Sequence, residues 1–214
     1  MEQLDQIVSI LAISMGVGWA SGINLYATLL ALGIMSHTGH MALPPELEIV
    51  ADPLVMAAAG LMYMVEFTAD KIPGVDNIWD SIHSFIRLPA GAILAASAIG
   101  DASPALELAA AITGGSLAAA AHVTKAGGRV LINTSPEPFS NWLVSLGEDF
   151  AVFLGLWTAV QHPWVFLILL VVFILLLIWL LPKLWAAIKT IFIKLKQVLS
   201  KKHPPLKPLK LQFL

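Results

Sequence analysis

The stretch WVFLILLVVFILLLIWLL, residues 164–181, holds no charged, glycine or proline residue. As a helix it extends about 27 Å at roughly 1.5 Å per residue, close to the hydrocarbon core of a bilayer. Branched and leucine-rich on every face, it reads as a helix that meets lipid. The whole chain supports a membrane reading. It is 58% hydrophobic and 12% charged, with a mean hydropathy of +0.83, where soluble chains average about 45–50% apolar and about 25% charged. Five further apolar runs precede the last one: Ile7–Met35, Pro53–Ala69, Leu88–Gly100, Ala105–Val123 and Phe150–Val160. The expected fold is therefore all-α, a polytopic helical membrane protein of about six transmembrane segments, some of them short or broken.

The first run exceeds the length a span needs, and Gly16, Gly18 and Gly22 mark the expected break. Its acidic start and its continuation to Met35 argue against a cleaved signal peptide. Residues 36–52, with His37, His40, Pro44, Pro45, Glu46 and Glu48, have loop composition. Asn77–Arg87 places Ile78, Trp79, Ile82, Phe85 and Ile86 at helical spacing, with Asp80, His83 and Arg87 elsewhere. That pattern predicts an amphipathic helix at the membrane interface leading into the short run at Leu88. Gly114, Gly115 and Ser116 predict close contact of the fourth run with other helices. After Pro182 come eight lysines and no acid. The segment Leu184–Leu199, alternating Trp185, Ile188, Phe192 and Leu195 with lysines, is expected to lie on anionic lipid.

Charge sets the expected orientation. With six spans, the loops after the first, third and fifth carry Glu46, Glu48, Asp52 and Asp101 but no lysine or arginine. All twelve basic residues fall on the other side, which the positive-inside rule makes cytoplasmic, together with both termini. A second topology stays open, in which Leu88–Gly100 and Phe150–Val160 are re-entrant. Pro53–Ala59 resembles Pro104–Ala111, and Asn77 with Trp79 echoes Asn141 with Trp142. An internal two-fold repeat is thus read as two helical units at about 7–86 and 87–161, followed by a final helix at 162–182 and a basic cytoplasmic tail at 183–214.

Candidate functional residues gather at the predicted cytoplasmic ends of the spans. Glu66 and His122 interrupt apolar runs, where an ionisable group is a functional hypothesis by default, and each is the other's expected partner. Asp70, Lys71, Arg87, Lys125, Arg129 and Asn24 complete the substrate or ion pathway. Asp76, Asp80, His83, Glu148 and Asp149 are the candidates for a divalent cation, and no other cofactor is expected. The bland reading of the same charges is ion pairing at the interface, such as Asp70 with Arg129 or Lys125. Nothing resembles a Ser-His-Asp set, a phosphate loop or a nucleic-acid surface. The chain has no cysteine, which removes disulfides and thiolate chemistry.

The segments Ser21–Tyr26, Glu66 through Asp70-Lys71-Ile72-Pro73 to Asp76 and Asp80, and Arg87–Ala92 resemble a bacterial inner-membrane family filed as domain of unknown function 4126. His122, Lys125, Arg129, Asn133–Pro138 and Glu148-Asp149 fit the same pattern. The resemblance covers roughly the first 160 residues and implies membrane class and bacterial origin, without an activity. Three functions remain open: a small transporter or channel-like protein, a metal-dependent enzyme acting on a lipid phosphate, and a membrane scaffold. The expected surroundings are the bilayer and anionic lipids at the tail, and the small-residue faces suit a homo-oligomer.

Overall fold

The computed structural model describes residues 2–72, 74–133 and 138–202, with side chains except at 138, 194–196 and 198–202. The first apolar run divides at Asn24 into α1, Glu2–Ile23, and α2, Leu25–His37. Asn24 is extended, with φ −149° and ψ 103°, and its side chain accepts from Ala27 N at 2.9 Å. Asparagine is among the best residues for such a cap. The break is thus not at the glycines, which stay helical. Gly18 and Gly22 lie instead against the helix that holds Gly114 and Ala118: a methyl group at Gly18 would sit 2.7 Å from Gly114 Cα.

A 3-10 helix, Pro45–Ala51, joins α3, Pro53–Ala69, with a bend of 64°. Asp52 caps α3 by accepting from Leu54 N at 2.8 Å. Met41, Leu47 and Val50 are buried in the core, so the connection whose composition reads as a loop is packed against the helices. Apolar residues recurring every third position of a 3-10 turn share one face.

The expected amphipathic segment and the short third run form one helix, α4, Val75–Ser97, continuous through Pro89. Its orientation reverses the interfacial expectation. Asp76, Asp80, His83 and Arg87 are buried, while Ile78, Ile82 and Phe85 are exposed, Phe85 by 85%. In a bilayer the apolar face belongs outside, provided that the polar face finds partners within the protein.

Helix α5, Pro104–Ile132, packs most extensively against α4 and α1. Small residues allow this: a Cβ on Gly91 would meet Ala118 Cβ at 2.6 Å. The predicted close contact of the Gly114 region is therefore present, because lipid supplies no hydrophobic drive and backbones must approach to gain dispersion. Helix α6, Pro138–Gln161, repeats the reversal seen in α4. Asn141, Ser145 and Asp149 face inward, and Phe139, Leu143 and Phe150 face outward.

Helix α7, Pro163–Lys202, continues through Pro182, where the sequence had suggested a stop. Most of its large apolar residues are exposed. The chain is a polytopic helical membrane protein. Among the described residues, four helices are long and apolar enough to cross a membrane, five if the bent pair 45–51 and 53–69 is one span. The six runs in the sequence do not map singly onto these, because Asn24 divides the first and the charges of α4 exclude it from the apolar count. Pro73, Thr134–Glu137, His203 and residues 204–214 lie outside the described residues, as do the side chains of most lysines in the basic tail.

Candidate functional site

Residues four apart share a helix face. Glu66 and Asp70 do so at the end of α3, and Lys125 and Arg129 do so on α5. The two faces meet. Lys125 Nζ donates to Asp70 Oδ2 at 2.8 Å, Glu66 Oε1 at 3.3 Å and Ile23 O at 3.1 Å. The last contact follows from the helix break. Ala27 N, which in a continuous helix would bond Ile23 O, bonds the Asn24 side chain instead, leaving that carbonyl free for the lysine. All three ammonium protons are thereby engaged.

Arg129 reaches Asp70 O at 2.6 Å, Asn141 Oδ1 at 3.3 Å, Asp70 Oδ2 at 3.4 Å and Glu148 Oε2. It ties α5 to α3 and α6. Arg87 on α4 donates to Glu66 Oε1 at 2.7 Å and Asp80 Oδ1 at 2.8 Å, and lies 3.2 Å from His122 Nδ1. A guanidinium only donates, so His122 Nδ1 accepts and its proton sits on Nε2. That nitrogen meets Ser84 Oγ at 2.6 Å, and Ser84 in turn donates to Asp80 O at 2.9 Å. Glu66 and His122 are therefore joined through Arg87, not as direct partners, because the arginine fork fits between them.

Around this centre lies a shell of neutral donors. Asn24 Nδ2 donates to Asp149 Oδ1 at 3.1 Å. Asp76 accepts from Gly74 N, Asn77 N and Asn133 Nδ2, and Asn133 Oδ1 accepts from Asn141. His83 stacks on Trp79 at 4.1 Å between centroids and meets the Tyr26 hydroxyl at 3.2 Å. Among the described residues Lys71 makes no ion pair with the other candidates, although Asp149 and Asp70 act on its charge. Its ammonium lies over the Phe67 ring and donates to Phe67 O, and partial burial lowers its pKa from the usual lysine value.

The five metal candidates do not assemble as one ligand set. Among the described residues, no three of His, Cys, Asp and Glu are placed to hold an ion. Asp80 and Glu148 face arginines, Asp76 faces amides, Asp149 faces Asn24 and His83 faces Tyr26. Sequence reading missed Ser84 and the Ile23 carbonyl. Ser84 had a signal, since it follows Asp80 by four on the polar stripe.

The charge balance is uneven. Arg87, Lys125 and Arg129 are buried beside Glu66, Asp70, Asp76, Asp80 and Asp149, and Glu148 is only 16% exposed. Among the described residues, buried acids at this place thus outnumber buried cations by six to three. Among the described residues, Glu66 Oε2, Asp70 Oδ1 and Asp80 Oδ2 are buried with no hydrogen-bond partner, while Asp149 is met by Asn24 and by the Tyr63 hydroxyl. Two grooves reach the cluster from opposite sides of α5. One of about 490 Å³ ends at Lys125 and Glu148, and another of similar size ends at Ser84 and His122, under Leu184 and Trp185 of α7.

A family model described as Domain of unknown function (DUF4126) matches residues 11–183. The match takes in the last apolar run, beyond the 160 residues over which the resemblance was read. No curated protein and no solved structure matches this chain. The chain belongs to the DUF4126 family.

Proposed function

We propose that this member of the family is a small transporter whose buried charge cluster binds and couples a cation, the proton included. One observation carries the reading: among the described residues four acids pair with three buried cations, two further acids, Asp76 and Asp149, are buried beside them with only neutral partners, and three oxygens of the paired acids lack a hydrogen-bond partner. An uncompensated carboxylate in a low-dielectric interior costs several kcal/mol, so it takes up a proton or a cation. Ionisable groups inside a membrane mark ion and substrate pathways by default. The inward polar faces of α4 and α6, each following a helix that carries charges into the cluster, support an internal repeat with the site between its halves.

The lipid-phosphate enzyme is the weaker reading. Arg87 and Arg129 already direct their Nη groups at carboxylates, which compete with any phosphate. The same proposal puts the chain in a bacterial inner membrane with both termini cytoplasmic, on the strength of the one-sided basic residues. It assigns the lysine-rich tail to anionic lipid.

The test is flux in proteoliposomes loaded with a pH-sensitive dye under an imposed sodium, potassium or proton gradient. The wild-type chain is expected to pass protons or cations well above protein-free vesicles, and Glu66→Gln and Asp149→Asn to lose most of that flux while remaining folded. Vesicles as tight with the protein as without it would refute the transport reading.

A further inference from the structure

The groove that ends at Lys125 and Glu148 lies among α1, α5, α6 and α7 and is walled by Trp19, Ala121, Val144, Ala151 and Phe173. Its volume of about 490 Å³ falls within the roughly 300–1,000 Å³ usual for small-molecule sites. Two of its lining residues are glycines, Gly128 and Gly147, and a Cβ at either would meet no described residue within 4 Å. Glycine within a helix is less favourable than alanine by about 1 kcal/mol. At Gly18 and Gly114 tight packing explains it. At Gly128 and Gly147 no packing does, and what their bareness provides is an open groove beside Lys125 and Glu148.

The polar end is selective by its chemistry. Lys125 has every proton engaged by Ile23 O, Glu66 and Asp70, so it offers nothing to an anion. Glu148 is the most exposed acid paired in the cluster, and among the described residues its side chain takes one hydrogen bond, from Arg129 to Oε2. The group presented to an occupant is thus a carboxylate, set in a cluster with more acids than cations. Trp19 and Phe173 add aromatic rings to the wall, surfaces that favour a cation over an anion.

We infer that this groove binds a lipophilic cation, an ammonium on an apolar body, with Glu148 as its counter-ion. The inference names a substrate class for the transport reading above and rests on it. The ammonium sits against Glu148, and the apolar body lies along Val144, Ala151 and Phe173, open on one side to lipid.

Three probes of equal chain length separate the possibilities: octylammonium, octanol and octanoate, titrated onto the full chain in phosphatidylcholine nanodiscs and read as saturable thermal shifts. Octylammonium is expected to bind at least tenfold more tightly than octanol, and octanoate not to bind. Glu148→Gln is expected to bring octylammonium down to the octanol level. Because that change also strips Arg129 of a partner, Gly128→Leu provides a second variant, whose side chain grows into open groove and is expected to abolish binding of both probes while the protein stays folded. Equal affinity for the amine and the alcohol would make this an acyl-chain groove only and overturn the inference, as would the absence of saturable amine binding. If amine binding fails while Glu66-dependent flux persists, the groove assignment alone falls. Loss of both removes the transport reading as well.

Discussion

Replacing Lys125 by methionine removes one positive charge while keeping most of the side-chain volume. In the structure that ammonium lies 2.8 Å from Asp70, 3.3 Å from Glu66, and 3.8 Å from Asp80 and Glu148. Removing one partner of a buried ion pair typically costs about 3–5 kcal/mol, because the other charge is left uncompensated. The pair itself stabilises by far less, since its attraction is offset by desolvation. Against a folded-state stability of about 5–15 kcal/mol, the loss is a large fraction. At about 2–4 °C per kcal/mol for a chain of this size, the apparent melting temperature should fall by roughly 6–20 °C. The seven tryptophans provide the fluorescence signal, followed at one fixed scan rate in detergent. Lys125→Met combined with Asp70→Asn should recover part of the loss, since the most closely paired acid is then neutral. A single variant that melts within about 1 °C of wild type, with no coupling to Asp70, would refute the claim that these charges are buried and mutually compensating.

Other perturbations separate the roles of individual residues. Gly18→Val should prevent recovery of monodisperse protein on size exclusion, because the new side chain meets Gly114 backbone, whereas Gly128→Ala should fold normally and gain up to about 1 kcal/mol of helix propensity. His122→Leu leaves Arg87 without its Nδ1 acceptor and should lower stability by about 1–3 kcal/mol in thermal unfolding, the usual cost of an unsatisfied buried donor. Lys71→Met should retain wild-type flux and stability, because its ammonium is held by Phe67 and donates to no carboxylate among the described residues; flux as low as in Glu66→Gln would place it in the pathway after all.

Much of the fold is legible in the sequence, since long uncharged runs specify membrane helices by length alone. The apolar run at 164–181 is such a case, and α7 carries it as expected. What composition could not locate was the break in the first run. Glycine marks flexibility and close approach equally, and only the partner helix decides between them. Here Gly18 and Gly22 meet α5, and Asn24 makes the break. The reversal of α4 and α6 was hidden for a related reason. Periodicity shows that a helix has two faces, but in a membrane the polar face turns inward when partners await it and outward when they do not. Those partners lie on α3 and α5, far away in sequence.

The cluster was partly legible. The spacing of Glu66 with Asp70, and the position of charges inside apolar runs, single out residues that the structure does bring together. Asp70 also makes the ion pairs with Lys125 and Arg129 that the bland interfacial reading contained. Their wiring was not legible, because it depends on Arg87 reaching from α4 between Glu66 and His122. It also depends on a main-chain carbonyl released by Asn24, which side-chain patterns do not reveal.

The central claim is that α4 and α6 turn their charged faces into a common buried cluster and their apolar faces to lipid. The natural absence of cysteine allows single spin labels at Phe85→Cys and Phe139→Cys, with Ser145→Cys as the inward control, in nanodiscs exposed to oxygen or to a water-soluble nickel chelate. The account predicts strong relaxation by oxygen and weak relaxation by nickel at 85 and 139, and weak relaxation by both at 145. Strong nickel relaxation at 85 and 139 would put those faces in water, leaving α4 and α6 as interfacial helices, and would contradict it.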